Sequence, residues 1–219
     1  MTLTTPAKGA AKAGSHRPAR AAVLRPALCR AACLALLPLL AACVSSAKEP
    51  EAPPVMRWDH RPEAMHWTKA AMNAVAEKDD VLAERVPADI ATWCPGYAKA
   101  SLEERRAFWV GVLSAVSKHE SGWNPAAAGG GGRYVGLMQI SPRTARDQGC
   151  EAQSAGALKD GSANLACAVE ILADDVGRDG VVAGPGNRGV GRDWMPFRKA
   201  DKRADMAAWT RVQEWCQAG

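Results

Sequence analysis

The clearest pattern along the chain is apolar spacing of three and four residues. Trp109, Val112, Leu113 and Val116 recur at i, i+3, i+4 and i+7, which is one face of an α-helix. Ser101-Leu102-Glu103-Glu104 precedes them as a capping box, and Ser121-Gly122 supplies the stop. Leu165, Val169, Leu172 and Val176 repeat the spacing, with Ser162 as the expected cap of that helix. Ser141-Pro142 opens a short helix ending near Gly149, with Ser as cap and Pro at the first position. Residues 58–92 set Trp58, Met65, Trp67, Met72, Val75, Val81, Leu82 and Ile90 among charges, which predicts a helical hairpin. Residues 200–216, with Met206, Trp209, Val212 and Trp215, predict a last helix. Only Tyr134–Ile140 reads as a strand; Asn124–Tyr134 reads as a loop with Gly129–Gly132 at its tip, and 177–193 as irregular. The expected fold is mainly α, with a short β or loop element near 134–140 and an added N-terminal helical segment.

The first 42 residues follow a different pattern. Six basic residues (Lys8, Lys12, Arg17, Arg20, Arg25 and Arg30) and no acidic one lead into an apolar run, Ala31–Ala42. That run is too short to span a membrane as a helix, which takes roughly 20 residues. A basic flank, a short apolar stretch and a small-residue end predict a secretory signal. Its end, Leu40-Ala41-Ala42-Cys43, resembles the bacterial lipobox, whose cysteine is acylated and becomes the new N-terminus. Val44 stands where an Asp would signal inner-membrane retention, so the resemblance implies an outer-membrane lipoprotein facing the periplasm of a Gram-negative cell. The expected organisation is a signal peptide over 1–42, a tether over 43–57, a helical extension over 58–100 and the main domain over 101–219.

The leader also explains the net charge of +5. Outside it, 22 basic residues face 23 acidic ones, a net charge of −1, so nucleic acid is a poor candidate partner. Four of the seven cysteines lie beyond Cys43: Cys94, Cys150, Cys167 and Cys216. An even number in an exported domain predicts disulfides. Three pairings are possible; Cys150 with Cys167 as a local staple and Cys94 with Cys216 as a tie between the domain's ends are expected. A zinc site fits poorly, because no Cys-x-x-Cys pair occurs. The Gly129–Gly132 run is not followed by Lys-Ser or Lys-Thr, which argues against a phosphate loop. Eight Trp against two Tyr and two Phe is unusual; most are expected in the core, Trp123 included, although Trp also stacks on sugars.

The chemistry centres on Glu120. Four residues past Val116, it continues the apolar stripe to the helix's C-terminal end. Burial and the negative end of the helix dipole both disfavour its charged form. A carboxylic acid kept protonated near neutrality suits general acid attack on a glycosidic oxygen. The competing reading is a core-edge Glu paired with Lys118, Arg133 or Arg143.

The flanking residues favour the first reading. His119-Glu120-Ser121-Gly122-Trp123-Asn124-Pro125, then Gly136-Leu137-Met138-Gln139-Ile140-Ser141-Pro142 and Thr144-Ala145, resemble the soluble lytic transglycosylase family, as does the helix from Asn164. The resemblance covers roughly residues 105–190 and implies a lysozyme-like fold on a bacterial lipoprotein. It implies Glu120 as the catalytic residue, Ser121 as the neighbour near the acetamido group, and Met138, Gln139 and Tyr134 as substrate-binding residues. The implied reaction cleaves the β-1,4 bond between N-acetylmuramic acid and N-acetylglucosamine, with closure of a 1,6-anhydro ring. It needs one carboxylate, no metal and no cofactor, and the partner is the peptidoglycan glycan strand. One departure stands out: Val181 and Val182 precede Ala183-Gly184-Pro185-Gly186 where the family carries Tyr and Asn. Arg188, Arg192 and Trp194 are the candidates to take that place. The rival readings are a hydrolytic muramidase or chitinase on the same fold, told apart by a reducing-sugar product, and a non-catalytic peptidoglycan-binding lipoprotein.

Overall fold

The computed structural model describes residues 52–217. The signal peptide, Cys43 and most of the tether lie outside the described residues. The described chain runs α1 (Ala64–Ala76), α2 (Ile90–Trp93), α3 (Leu102–Glu120), β1 (Ala128–Gly129), β2 (Tyr134–Val135), α4 (Pro142–Asp147), α5 (Gly161–Asp179) and α6 (Ala200–Arg211), with 3₁₀ turns between several of them. The fold is mainly helical, with one two-stranded sheet among the described residues.

The organising element is α3. From Ala107 to Ser117 it carries no charged side chain, and every one of those residues is buried. A helix apolar all round must be covered on all sides; α1 and α6 pack directly on α3, and α5 packs on α1. Trp215 comes closest: a Cβ at Gly111 would lie 2.6 Å from its ring, so only glycine admits this approach. The capping box forms as predicted. Ser101 Oγ accepts from the Glu104 N–H at 3.2 Å, and the Glu104 carboxylate accepts from the Ser101 N–H at 2.7 Å. Such a cap stabilises a helix start by about 1 kcal/mol.

Four boundaries differ from the sequence expectation. The predicted hairpin over 58–92 is α1, a run of turns and a single turn of α2. The charges at 78–79 explain the break, because Lys78 pairs with Glu170 of α5 and Asp79 with Arg106 of α3; Pro87 then removes a helical donor. The cap of α5 is Asp160 rather than Ser162, its carboxylate accepting from the Ala163 N–H at 2.9 Å. The strand expected over 134–140 has two residues, with Ala128 opposite Val135 and Gly129 opposite Tyr134. Positive φ at Gly136 (+85°) and Gln139 (+49°) ends it, because left-handed backbone cannot continue a strand. The last helix stops at Arg211, and a separate 3₁₀ turn covers Glu214–Cys216.

Both expected disulfides are present, Cys94–Cys216 and Cys150–Cys167. Next to the first, Tyr97 donates to the Leu82 carbonyl at 2.9 Å and accepts from the Trp109 indole at 3.0 Å, fastening the 82–97 segment to α3. Residues 56–60, read from the sequence as the junction of tether and extension, are also fastened. Met56 and Trp58 are buried, and the backbone N–H groups of Arg57 and Trp58 donate to Ser114 Oγ of α3 at 2.6 and 3.2 Å. The His60 ring meets Trp123 edge-on, with centroids 4.7 Å apart.

Candidate active site

Glu120 is the last residue of α3 and is half-buried. Burial pushes its carboxyl up to about 7, against the opposing pull of the Lys202 ammonium. None of the partners considered from sequence (Lys118, Arg133 or Arg143) forms an ion pair with it among the described residues. Lys118 pairs with Asp205 and Arg143 with Asp147. A carboxyl poised near neutrality can both give and take a proton at the same pH, which is the requirement for a single group acting as acid and base.

The helix end that carries Glu120 is closed by its own backbone. The Ser121 N–H donates to the Ser117 carbonyl at 3.0 Å and the Gly122 N–H to that of Lys118 at 3.2 Å. Gly122 and Trp123 then turn the chain with φ of +61° and +59°. Trp123 is strained in that conformation, and its side chain holds it there. The indole donates to the Ser114 carbonyl at 3.0 Å and packs against the core.

Ser121 links this end to the second motif, because its hydroxyl donates to the Leu137 carbonyl at 2.9 Å. The 136–139 segment is held from below by Asn164, a fully buried residue of α5. Its carbonyl oxygen accepts from the Met138 N–H at 2.8 Å, and its amide donates to the carbonyls of Val135 and Leu158, each at 3.0 Å. A Cβ at Gly136 would meet the Asn164 side chain at 2.2 Å and the Leu158 carbonyl at 2.3 Å, so glycine is required there. Trp194 adds a further tie, its indole donating to the Met138 carbonyl at 2.9 Å.

The residues expected to bind substrate therefore separate. Ser121 and Gln139 are half-buried and Tyr134 is exposed, whereas Met138 is fully buried and contributes to the core. The Gln139 amide donates to the carbonyls of Gly136 (2.9 Å) and Ala127 (3.3 Å), so it fastens the β1–β2 loop. The place of the family's Tyr is filled by the buried Val181 and Val182. Asp89 pins that segment by accepting from the N–H groups of Val182 at 2.6 Å and Ala183 at 2.9 Å. Arg188 and Arg192 turn to Asp179, Arg192 through a 2.7 Å ion pair, and Trp194 is buried beneath Met138.

Sequence reasoning missed the charged cluster behind Glu120. The Asp205 carboxylate of α6 accepts from both Arg57 terminal nitrogens at 2.8 Å, from His119 Nε2 at 2.8 Å and from Lys118 Nζ at 3.4 Å. Arg57 foremost, then His119 and Lys118, hold Asp205 well below the usual carboxylate range. His119, the residue before Glu120, joins α3 to α6. A separate groove of about 670 Å³, lined by Pro54, Met65, Met72, Glu104 and Trp215, lies toward the other end of α3. It reaches Ala107, about 20 Å along the helix from Glu120.

Residues 99–206 match the family described as Transglycosylase SLT domain. This part of the chain is an SLT domain. The wild-type structure of DslA (Bd0314) is 28% identical and covers 76% of this chain and 100% of that one, with a TM-score of 0.68. A Glu-to-Gln mutant of the same protein matches at 27% identity and TM-score 0.69, with the same coverage. None of the curated proteins matches the chain. The SLT domain begins just before α3 and ends within α6, so Arg57 and His60 reach its site from outside it. An SLT domain implies a peptidoglycan substrate and lytic-transglycosylase-type chemistry.

Proposed function

We propose that the protein is a peptidoglycan lytic transglycosylase in which Glu120 is the sole catalytic carboxylate. The observation that carries this reading is the half-buried Glu120 carboxyl at the end of α3, raised to about 7, beside the Ser121–Leu137 link between the two motifs. Protonated Glu120 gives its proton to the glycosidic oxygen as the bond to C1 of N-acetylmuramic acid breaks. The muramyl acetamido group stabilises the cation that forms. The Glu120 carboxylate then removes the C6 hydroxyl proton, and O6 closes on C1 to give the 1,6-anhydro ring. Water is not consumed, and the proton returns to Glu120. The Asp205 carboxylate is held ionised by Arg57 first, with hydrogen bonds from His119 and Lys118, which suits it to fastening α6 and not to a second catalytic role.

Mass spectrometry of fragments released from purified sacculi tests the reaction. Products one water lighter than the reducing-end fragments are expected; reducing ends would assign a hydrolytic muramidase instead. Glu120→Gln should end release while the fold persists, and continued release would remove Glu120 from the mechanism.

The sequence supports a lipid anchor at Cys43 and an outer-membrane position facing the periplasm, through the basic flank, the apolar run and Leu40-Ala41-Ala42-Cys43. Metabolic labelling with a fatty-acid probe tests this. Cys43→Ala should abolish labelling and release the protein from the membrane fraction.

A further inference from the structure

The geometry points to Lys202 as a substrate-binding residue that receives a carboxylate carried by the muramic acid side chain, through either the lactyl group or the peptide stem. This rests on the glycan-cleaving reading of Glu120. The placement of Lys202 follows from how α6 lies on α3. Asp205 of α6 binds Lys118 and His119, near the C-terminal end of α3. One turn further along α6, Trp209 lies beside Gly111, where a Cβ would sit 3.4 Å from its ring. The two helices therefore run antiparallel, and moving back along α6 leads toward and past the end of α3.

Lys202 is three residues before Asp205 and four before the buried Met206, on the face of α6 that packs against α3. That places its ammonium in the field of the Glu120 carboxyl. Among the described residues Lys202 makes no ion pair, while three nearby cations are engaged. Arg198 donates to the carbonyls of Gly191 and Arg192, Arg203 to that of Phe197, and Lys118 to Asp205. An unpaired ammonium beside the catalytic carboxyl is suited to an incoming anion. The sugar rings themselves are neutral; the anionic groups of a peptidoglycan strand are on the muramic acid substituent. With Glu120 protonated before cleavage, Lys202 has no competing carboxylate, and the substrate anion completes the charge balance.

The test uses the protein in an inactive background, comparing Glu120→Gln with Glu120→Gln plus Lys202→Gln by titration calorimetry. Three saccharides are needed: a muropeptide strand with stems, the same strand stripped by an amidase to leave lactyl carboxylates, and a neutral N-acetylglucosamine oligomer. Removal of Lys202 should weaken binding of a carboxylate-bearing strand about tenfold, the scale of one charge-assisted hydrogen bond, and leave the neutral oligomer unchanged. Loss with the stem-bearing strand alone assigns the anion to the peptide; loss with the stripped strand alone assigns it to the lactyl group, whose carboxyl is an amide while the stem is attached; loss with both shows that Lys202 receives either carboxylate. Lys202→Arg should retain the preference. Equal loss on all three saccharides, or no loss on any, would overturn the assignment. These outcomes are independent of whether Glu120→Gln abolishes turnover, which tests the underlying reading.

Discussion

The Nε2 atom of His119 lies 2.8 Å from the Asp205 carboxylate, so the residue immediately before Glu120 in α3 is tied to α6. The same carboxylate holds Arg57, which precedes α1. Three separate parts of the chain thus converge on one acid behind the candidate catalytic group.

Replacing Asp205 with Asn should therefore loosen the back of the site. Asp205 is about one-third exposed, so solvent screening keeps the stability cost to about 1 kcal/mol. Because its native pKa is depressed, the contribution is fully present at neutral pH, begins to fall at the unfolded carboxylate value and is lost as pH drops through the depressed native value. Urea titrations at pH 7 and pH 3 check this: the difference between wild type and variant should be smaller at the second.

Activity should fall as pH rises through about 7, because cleavage begins with protonated Glu120. Lys202 pulls that value down, while Lys118, His119 and Arg57 are drawn to Asp205 on the neighbouring turn. Lys202→Gln should move the alkaline limb of the kcat/KM profile to higher pH. Glu120→Gln should lower turnover by at least about a hundredfold. An unmoved limb in Lys202→Gln would show that the ammonium does not act on Glu120.

Asn164→Leu should be the most damaging of the single changes at buried polar residues. It removes three hydrogen bonds at once and strands the Met138 N–H and the Leu158 carbonyl in the interior, leaving the Val135 carbonyl with the Ile140 N–H alone. A cost of about 3 kcal/mol or more is expected, read as a lower midpoint in chemical denaturation. Turnover should fall as well, because the segment that Ser121 grips would lose its support.

Buried Asp175 predicts an opposite pH trend. Burial first, and Asp193 second, raise its carboxyl to about 8, and among the described residues its Oδ2 has no hydrogen-bond partner. A raised native pKa means that the destabilisation is absent below about pH 4, grows as pH rises and is complete above about 8. Asp175→Asn should raise the melting temperature at pH 9 and leave it nearly unchanged at pH 4. A shift of equal size at both would assign the effect to packing.

The two disulfides should differ in weight. Cys94–Cys216 closes 122 residues and Cys150–Cys167 closes 17. Chain entropy assigns roughly 5 and 3 kcal/mol to loops of those lengths. Removing each pair with Ser should therefore lower the denaturation midpoint more for the long-range pair.

The long helices, the caps at Ser101 and Ser141 and the Cys150–Cys167 staple were legible because each is written locally. The capping box at Ser101, the Ser141-Pro142 start and the apolar stripe leading to Glu120 all lie within a few turns of sequence. The charged cluster was not legible, because Arg57, His119 and Asp205 are brought together only by tertiary packing. Lys202 on a polar helix reads as solvated from sequence alone, since nothing local marks its neighbour across the helix pair. Met138 was read as lining the groove and is fully buried. Its motif neighbours turn the backbone with positive φ at Gly136 and Gln139, and side-chain direction in such a turn does not follow any simple period.

The clasp formed by residues 56–60 bears on how the protein should be expressed. A fragment trimmed to the 99–206 match would leave Asp205 without Arg57, Ser114 without its two backbone donors and Trp123 without the His60 ring. It would also sever the Cys94–Cys216 tie. The smallest piece able to fold with an undisturbed centre therefore starts upstream of Met56 and runs past Cys216.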